Sequence, residues 1–308
     1  MAITRSQLVK ELEPGLNALF GLEYNRYENQ HAEIYVTETS DRAFEEEVML
    51  SGFASAPTKQ EGAGVVFDQA NETFTARYTH ETIALAFAIT EEAIEDNLYD
   101  RLAARYTRAL ARSMSNTKQV KAANVLNQAQ FTAVTGGDGK PLIASDHPLA
   151  TGGTFSNVLA TAADLNETSL EQSLIDIASF VDERGLKIAA QGVKMIIPKE
   201  LQFTAERLMK SPQRTATADN DINALVSMGM IPQGYRVNNF LTDTDSYFIL
   251  TDIPNGFKQF VRAPIKTAIE GDFDTGNVRF KARERYSFGF SDPRCVFGNG
   301  NLQLANTN

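Results

Sequence analysis

Residues 276–294, GNVRFKARERYSFGFSDPR, decide how the C-terminal part of the chain folds. Apolar and cationic side chains alternate along this stretch with a period of two, which is typical of a half-buried β-strand. One face carries Val278, Phe280, Ala282, Tyr286, Phe288 and Phe290, and the other carries Arg279, Lys281, Arg283 and Arg285. We call these four cations the basic ladder. Such a ladder is a candidate for a nucleic-acid patch, an active site or a contact between subunits.

The composition is that of an acidic folded protein rather than a general nucleic-acid binder. The 308 residues carry a net charge of −10, and 43% of them are hydrophobic, which is enough to build a sizeable core. The acidic charge opposes binding to phosphates, so a salt-bridged surface is the simpler interpretation of the ladder. Single-strand binders also place aromatic rings beside their cations, whereas the rings here lie on the opposite face.

Three features favour assembly in a cytosol-like compartment. Cys295 is the single cysteine, so an internal disulfide framework is excluded. Lys10, Glu11 and Glu13 stand where a signal peptide needs an apolar run. The longest apolar run, residues 83–89, is far shorter than the roughly 18 residues of a membrane-span candidate.

The first 90 residues have the pattern of an arm and a long loop. Residues 6–22 predict a short amphipathic helix broken at Pro14 and Gly15, and polar sequence follows to residue 40. Residues 41–90 predict a long β-hairpin around a tip of small and polar residues, with arms of about 12–15 residues. Two strands alone are marginally stable. Because few large apolar residues lie near the tip, we expect the hairpin to rest on another subunit.

Residues 91–130 give the strongest helix signal in the chain. Thr90 is the predicted N-cap, acidic residues fill the first turns, and basic residues follow, an order that suits the helix dipole. Apolar residues recur every four positions at Ile94, Leu98, Leu102, Tyr106, Leu110 and Met114. This spacing is not a heptad, so it predicts a long strut packed along one side of a sheet rather than a coiled coil.

The remaining sequence predicts a compact α/β region and a β-rich final third. Thr168 and Glu171 predict a capping box at the start of a helix, and residues 193–198 predict a buried strand. Residues 211–234 predict a long loop, the kind of segment that often carries function. Asn255 and Gly256 form a hairpin-turn signal within the closing sheet.

No catalytic, cofactor or metal site is predicted. His31, His80 and His147 share no metal-ligand spacing with one another or with Cys295. His147 lies in a Pro/Gly-rich loop, where turn chemistry is the simpler interpretation. Cys295 lacks an indicated base. One polar residue remains unexplained: Glu284 lies on the apolar face of the final strand, where a carboxylate is costly unless paired. The sequence therefore predicts a cationic partner for it, from this chain or a neighbour.

The order of these elements resembles the major capsid proteins of tailed bacteriophages, the Hong Kong 97-type fold. The resemblance covers essentially the whole chain and is most specific in the strut helix and the closing segment from YFILTDIPNGF to SDPR. It implies an α+β fold with an N-terminal arm (1–40) and an extended β-hairpin loop (41–90). It further implies a peripheral domain (91–164 and 246–308, with a spine helix at 91–130) and an axial domain (165–245). The loop 211–234 would then lie near the capsomer axis.

The resemblance also implies a function. The chain would be a major head protein without enzymatic activity, forming pentamers and hexamers of an icosahedral shell that encloses double-stranded DNA without sequence-specific binding. It would assemble in the host cytoplasm with no membrane and no cofactor. Because the arm begins almost at Met1, a separate scaffolding protein is expected, with a portal as a further partner; the sequence leaves open whether a decoration protein joins them. Some similar proteins are joined by Lys–Asn bonds; Lys59 lies at the loop tip, but no matching Asn or Glu is identified.

We expect the basic ladder to meet acidic surface on adjacent subunits, with Glu45, Glu46 and Glu47 at the loop base as candidate partners. Three alternatives stay open. An encapsulin-like compartment would enclose a cargo enzyme instead of a genome, and the contents of purified particles would distinguish the two. A hydrolase would use Cys295 or His147, and a nucleic-acid-binding module would bind DNA with a steep salt dependence.

Overall fold

The protein has a mixed α and β architecture. The computed structural model describes residues 5–90, 92, 99–214, 221–271 and 276–300, with side chains described outside 5–14 and 99–102. The helices are α1 (Arg5–Tyr24), α2 (Tyr99–Asn127), α3 (Glu167–Ala178), α4 (Gln202–Lys210) and α5 (Ala224–Met228). The strands are β1 (Val36–Thr39), β2 (Phe44–Leu50), β3 (Glu72–Thr79), β4 (Glu81–Ile89), β5 (His147–Pro148), β6 (Thr154–Phe155), β7 (Gly192–Ile197), β8 (Tyr235–Val237), β9 (Phe248–Thr251), β10 (Phe257–Gly271), β11 (Val278–Phe290) and β12 (Val296–Gly298).

The first sheet has the strand order β1-β10-β11-β4. Its centre is the long antiparallel pair β10–β11, while β4 is antiparallel to β11 and β1 is parallel to β10. Phe280 and Ala282 of β11 are fully buried in one cluster with Leu16 and Phe20 of α1 and with residues of α2. The alternation predicted from the sequence is therefore confirmed, with the two helices on the apolar face of the sheet.

Helix α2 packs through small side chains as well as large ones. Leu110 and Met114 are buried as predicted, and the small residues Ala103 and Ala111 are buried in the same cluster with Leu16 and Phe20 of α1. Tyr106 differs from the prediction, since it is 47% exposed. The predicted positions Ile94 and Leu98 lie outside the described residues, and the side chain of Leu102 is likewise not described.

Helix α1 is continuous from Arg5 to Tyr24, so the predicted break at Pro14 and Gly15 is wrong. Proline removes one intrahelical hydrogen bond, but the following turns bury Leu16 and Phe20 against α2 and β11. Most helical stability in proteins comes from such packing rather than from local propensity.

The second sheet, in the order β12-β9-β7-β8, has its own core, which includes Leu170 and Ile177 of α3 and Met195 of β7. The N-cap of α3 is Asn166, whose side chain accepts the backbone N–H of Ser169, rather than the predicted Thr168. An extended asparagine is as good a cap as serine or threonine. Strands β9 and β12 come after residue 245, in the range predicted for the peripheral domain. They nevertheless pair within this second sheet, beside β7 of the predicted axial domain.

The hairpin is shorter than predicted. β2 and β3 are antiparallel, but they have only seven and eight residues, and the chain then turns at His80 so that β4 joins the first sheet. The Asn255-Gly256 turn is not a hairpin turn, because it leads from β9 in the second sheet to β10 in the first. A Cβ atom on Gly256 would lie 2.4 Å from Cβ of Cys295, so this crossing point has room only for glycine.

Candidate assembly surfaces

The basic ladder lies on the face of the first sheet opposite to α1 and α2. Arg279, Lys281 and Arg283 are exposed, and Arg285 is half-buried. Arg283 lies directly opposite a further cation, Lys266 of β10, and like charges opposite each other on a sheet are unfavourable. In the part of the chain that the structure describes, no ion pair involves Lys266, Lys281, Arg283 or Arg285. Within the described residues, Lys266, Lys281, Arg283 and Arg285 therefore present positive charge that no carboxylate neutralises.

The three candidate acidic partners are engaged inside their own chain. Glu45 accepts a hydrogen bond from the Ser40 hydroxyl at 2.7 Å, and Glu46 lies 3.7 Å from Arg77. Glu47 pairs with Lys258 and also accepts the Ser291 hydroxyl. Pairing of these carboxylates with a neighbour's ladder stays a prediction. Lys59 is exposed in the loop tip, as its predicted place requires.

The root of the hairpin is anchored to the first sheet. The Tyr78 hydroxyl bonds to Ser291, and the Tyr78 ring packs edge-on against Phe260 at 4.8 Å between centroids. At the turn into β4, the buried His80 ring lies between the hydroxyls of Ser40 at 2.9 Å and Ser287 at 3.0 Å. Burial, with Arg285 nearby, lowers the pKa of His80 below its usual value. The root is thus held by both aromatic packing and buried hydrogen bonds.

The tip of the hairpin, unlike its root, is not covered by the described rest of the chain. Every residue from 53 to 72 is exposed, and the tip's one ion pair among the described residues joins Asp68 to Arg184 at 3.2 Å. The exposed residues include large apolar ones: Phe53 at 61%, Val65 at 70%, Val66 at 68% and Phe67 at 94%. Contiguous exposed apolar residues of this kind mark an interaction surface.

The buried Glu284 has the cationic partner that the sequence predicted. Its side chain is 2% exposed and lies 3.5 Å from Nζ of Lys118 on α2. The Tyr24 hydroxyl at the end of α1 donates a hydrogen bond to the same carboxylate oxygen at 3.2 Å. Burial raises the pKa of Glu284, against the lowering influence of Lys118. This one carboxylate therefore joins α1, α2 and β11.

Arg294 is a structural centre that sequence reasoning missed. Its side chain is 2% exposed and lies 2.6 Å from the Glu183 carboxylate, while Nε donates to the carbonyl of Val181 at 2.7 Å. The guanidinium also stacks over the ring of Phe155 at 4.2 Å. These partners are more than a hundred residues away in the chain, so no local pattern could have shown them. Together they tie the end of β11 to the segment after α3.

The residues weighed as catalytic candidates are buried in the packing. Cys295 is a buried free thiol, and burial raises its pKa, so it is a poor nucleophile. His147 is fully buried, with Nδ1 2.6 Å from the Asp138 carboxylate and its ring stacked on Phe155. Among the described residues, no group of three or more His, Cys, Asp or Glu side chains is placed to hold a metal ion. Within the same residues, no helix combines the length and apolar content needed to cross a bilayer.

Solved structures with a similar fold are capsid proteins. The capsid protein of an empty GTA particle superposes with a TM-score of 0.54 at 10% identity, covering 87% of this chain and 88% of that one. The procapsid protein of bacteriophage JBD30 gives a TM-score of 0.53 at 14% identity, covering 99% and 78%. At such identities the similarity shows the fold alone. No curated protein sequence matches the chain.

The family follows from the sequence. A family model described as phage capsid protein matches residues 72–299, most of the chain. The chain belongs to this phage capsid protein family. It is a structural protein of the capsid shell, a component of the virion, and not an enzyme. The predicted α+β fold of the Hong Kong 97 type is confirmed.

Proposed function

We propose that copies of this chain assemble with one another into the icosahedral shell of a phage head and that the shell encloses double-stranded DNA. The observation that carries the proposal is the uncovered hairpin tip, residues 53–72, with its four large exposed apolar side chains. A lone subunit keeps them in water, whereas a neighbouring copy would cover them.

The energetic argument favours many weak, repeated contacts. Burying one Val or Phe side chain is worth roughly 1.5–3 kcal/mol, so four such residues supply several kcal/mol at each contact before the cost of association. A contact of this strength forms reversibly, which lets a misplaced subunit leave. In a closed ring each subunit makes such contacts with two neighbours, so the contacts act together to hold the ring.

The parts of the chain take the following roles in this proposal. Residues 1–40 are the N-terminal arm, and residues 41–90 are the extended loop that overlaps a neighbour. Residues 91–164 and 246–308 form the peripheral domain, and residues 165–245 form the axial domain. One hydrophobic core lies between α1, α2 and the first sheet and another around α3, α4 and the second sheet, while a third cluster, with Leu126 of α2, Ile196 of β7 and Phe257 of β10, joins the two domains. The loop 211–234 lies near the capsomer axis, where different ring sizes demand an adaptable segment.

The basic ladder is proposed to lie in a contact with acidic surface of an adjacent subunit. Each exposed pair is worth only about 0–1 kcal/mol, but the shell repeats it. Reversing Arg283 and Arg285 to glutamate should prevent assembly or make shells fall apart at lower salt. Reversing Arg108 and Lys187, two exposed cations elsewhere, makes the same change in net charge and should leave assembly intact. Shells of unchanged salt tolerance from the ladder variant would rule out this role.

Electron microscopy of the purified full-length chain tests the proposal directly. We expect closed icosahedral particles from the natural chain and free subunits from a Val66→Asn/Phe67→Ser variant. Both side chains are exposed, so this variant should keep its circular dichroism spectrum. Particles purified from infected cells should protect DNA from nuclease; a protein cargo in place of DNA would instead support the encapsulin-like alternative. Heads purified from infected cells that contain no copies of this chain would refute the proposal.

A further inference from the structure

The free edge of β4 is the least protected strand edge in the described part of the first sheet. β4 pairs with β11 without a bulge from Glu81 to Ile89, and its other edge has no strand beside it. Proteins normally protect such edges with charges, prolines, bulges or short length. β4 has nine residues, no proline and only one charge, Glu81. The opposite edge strand, β1, is only four residues long.

The two faces beside this edge have different chemistry. On the ladder side, Ala84, Ala86 and Ala88 of β4 lie opposite Arg283, Lys281 and Arg279 in register and are exposed. These small residues leave open the space that long cationic side chains need to reach across β4. On the helix side, Leu85 and Tyr106 are 45% and 47% exposed, and Tyr106 packs against Phe87, which shares the face of Leu85. A strand that added here would need acidic residues on one face and apolar residues on the other.

The hairpin tip supplies two large apolar residues on one face and one carboxylate on the other. In the segment 64–70, GVVFDQA, Val65 and Phe67 share one face of an extended strand, and Val66 and Asp68 share the other. The tip also has the complementary charge: residues 53–72 contain Glu61, Asp68 and Glu72 against one cation, Lys59. An added strand lies two strand spacings, about 10 Å, from β11, within reach of arginine and lysine side chains extended over the alanine row.

We propose that residues 64–70 of one subunit add as a strand to the free edge of β4 in a second copy of this chain. Val65 and Phe67 then cover Leu85 and Tyr106, and Asp68 pairs with a cation of the ladder. The inference rests on the proposed self-assembly and names the surface that receives the loop. It also gives the ladder an acidic partner other than Glu45, Glu46 and Glu47, which are engaged in their own chain.

Several contacts of the donor segment must be exchanged in this process. In the single subunit, Asp68 pairs with Arg184 and accepts the backbone N–H of Ala54, and Arg184 also donates to the carbonyl of Gln69. The ion pair is partly exposed and contributes little. The released carbonyl of Gln69 pairs with β4 in the added strand, and the exposed N–H of Ala54 returns to water. Because the donor segment and the acceptor edge are different surfaces, the contact is heterologous, the type that builds a ring when the rotation between subunits closes.

Chemical crosslinking of assembled particles tests the inference. Leu85→Cys is combined with Val65→Cys or with Phe67→Cys, and the particles are treated with a short bis-maleimide. The native thiol of Cys295 is 4% exposed, so it should not react with the crosslinker. We expect most chains to shift from monomer to a series of covalent oligomers on a denaturing gel. Each single-cysteine variant should stay monomeric.

Other occupants of the edge give different results, and each overturns the inference. Dimers from Leu85→Cys alone would mean that two β4 edges pair with each other. Dimers from a tip cysteine alone would mean contact between two tips. An internal crosslink that leaves the double variant monomeric would mean that the tip folds onto its own β4. Particles with no crosslink at all would refute the strand addition while leaving the shell function intact.

A second measurement uses the natural chain, in case a double variant does not assemble. Particles are formed from equal amounts of light and heavy isotope-labelled chains and treated with an amine crosslinker. Mixed-label peptides that join Lys59 to Lys281 or Lys266 are expected. If Lys59 links only to lysines remote from the ladder, the inference is wrong.

Discussion

Replacing Lys118 with methionine should destabilise the subunit by about 3 kcal/mol at neutral pH. Glu284, its partner, is 2% exposed and would keep a negative charge with one remaining donor, the Tyr24 hydroxyl. Breaking a buried ion pair by removing one member costs about 3–5 kcal/mol. We expect the lower end because Lys118 is 18% exposed and its Nζ lies 3.5 Å from the carboxylate.

Removing both charges should restore most of the lost stability. In Lys118→Met/Glu284→Gln the uncharged amide still accepts from Tyr24, so the free energy of unfolding should return to within about 1 kcal/mol of the natural chain. The two substitutions are therefore coupled by about 2 kcal/mol or more. Lys121→Met is the matched control, since Lys121 on the same helix pairs with a Glu81 side chain that is 61% exposed. That variant should lose less than about 1 kcal/mol.

The penalty should also depend on pH with a definite sign. Burial raises the pKa of Glu284, and Lys118 opposes that rise, so Lys118→Met raises the pKa further. A group whose pKa is raised on folding favours the folded state at low pH, and that contribution is lost as the pH rises through the folded value. The cost of Lys118→Met should thus be largest near neutral pH and shrink toward the ordinary glutamate pKa of 4.5. The double variant should show no such trend.

Urea unfolding of dilute, unassembled subunits is the appropriate assay. The chain contains no tryptophan, so far-ultraviolet circular dichroism is the signal. A Lys118→Met variant that loses no more stability than Lys121→Met, or whose loss is the same at every pH, would refute the idea that the buried charge needs its partner.

Three further variants test other parts of the fold. Gly256→Ala should lower the free energy of unfolding by about 1–3 kcal/mol, because the new methyl group would lie 2.4 Å from Cβ of Cys295. Gly21→Ala has no atom within 4 Å of its new methyl group and should instead stabilise α1 by about 0.5–1 kcal/mol. Thermal melts of the two variants that shift in the same direction would contradict this contrast. Arg294→Lys should not substitute for arginine, since an ammonium cannot reproduce the stacked, forked guanidinium contacts, and near-natural stability would count against its structural role. In the natural chain the pKa of His80 is lowered on folding, so the stability of the β2–β3 region that is present above about pH 6.5 should fall as the pH drops. His80→Gln should remove this acid sensitivity, which hydrogen exchange of the β2–β3 amides measures. Equal acid sensitivity of both chains would exclude His80 as the cause.

The sequence predicted well wherever the signal was local. Alternation along β11 gave the buried and open faces of the strand, because side chains in a strand change sides at every residue whatever lies beside it. The same reasoning required a cation for Glu284, since an unpaired carboxylate on an apolar face is too costly to keep. It did not identify Lys118, which is on another element far away in the chain.

Local rules failed where packing competed with them. The break at Pro14 and Gly15 did not form, because the turns that follow bury Leu16 and Phe20 against α2 and β11. The Asn255-Gly256 signal correctly gave a turn, but β10 found its partner in β11 instead of β9. The sequence predicted that the four cations of the basic ladder share one face of β11. It could not predict their neighbours, the alanines of β4 and Lys266 of β10, because these depend on which strands flank β11.

The amino-acid sequence by itself determined the periodicities, the buried faces and the α+β class, because these follow from backbone geometry and side-chain polarity within a few residues. The tertiary structure decided which surfaces stay uncovered: the hairpin tip, the edge of β4 and the ladder. The physical reason is that exposure is a property of the whole packed chain. A residue is covered only if a distant segment packs against it. Here the helices cover one face of the first sheet, and the hairpin root covers the other face only in part, at Phe260.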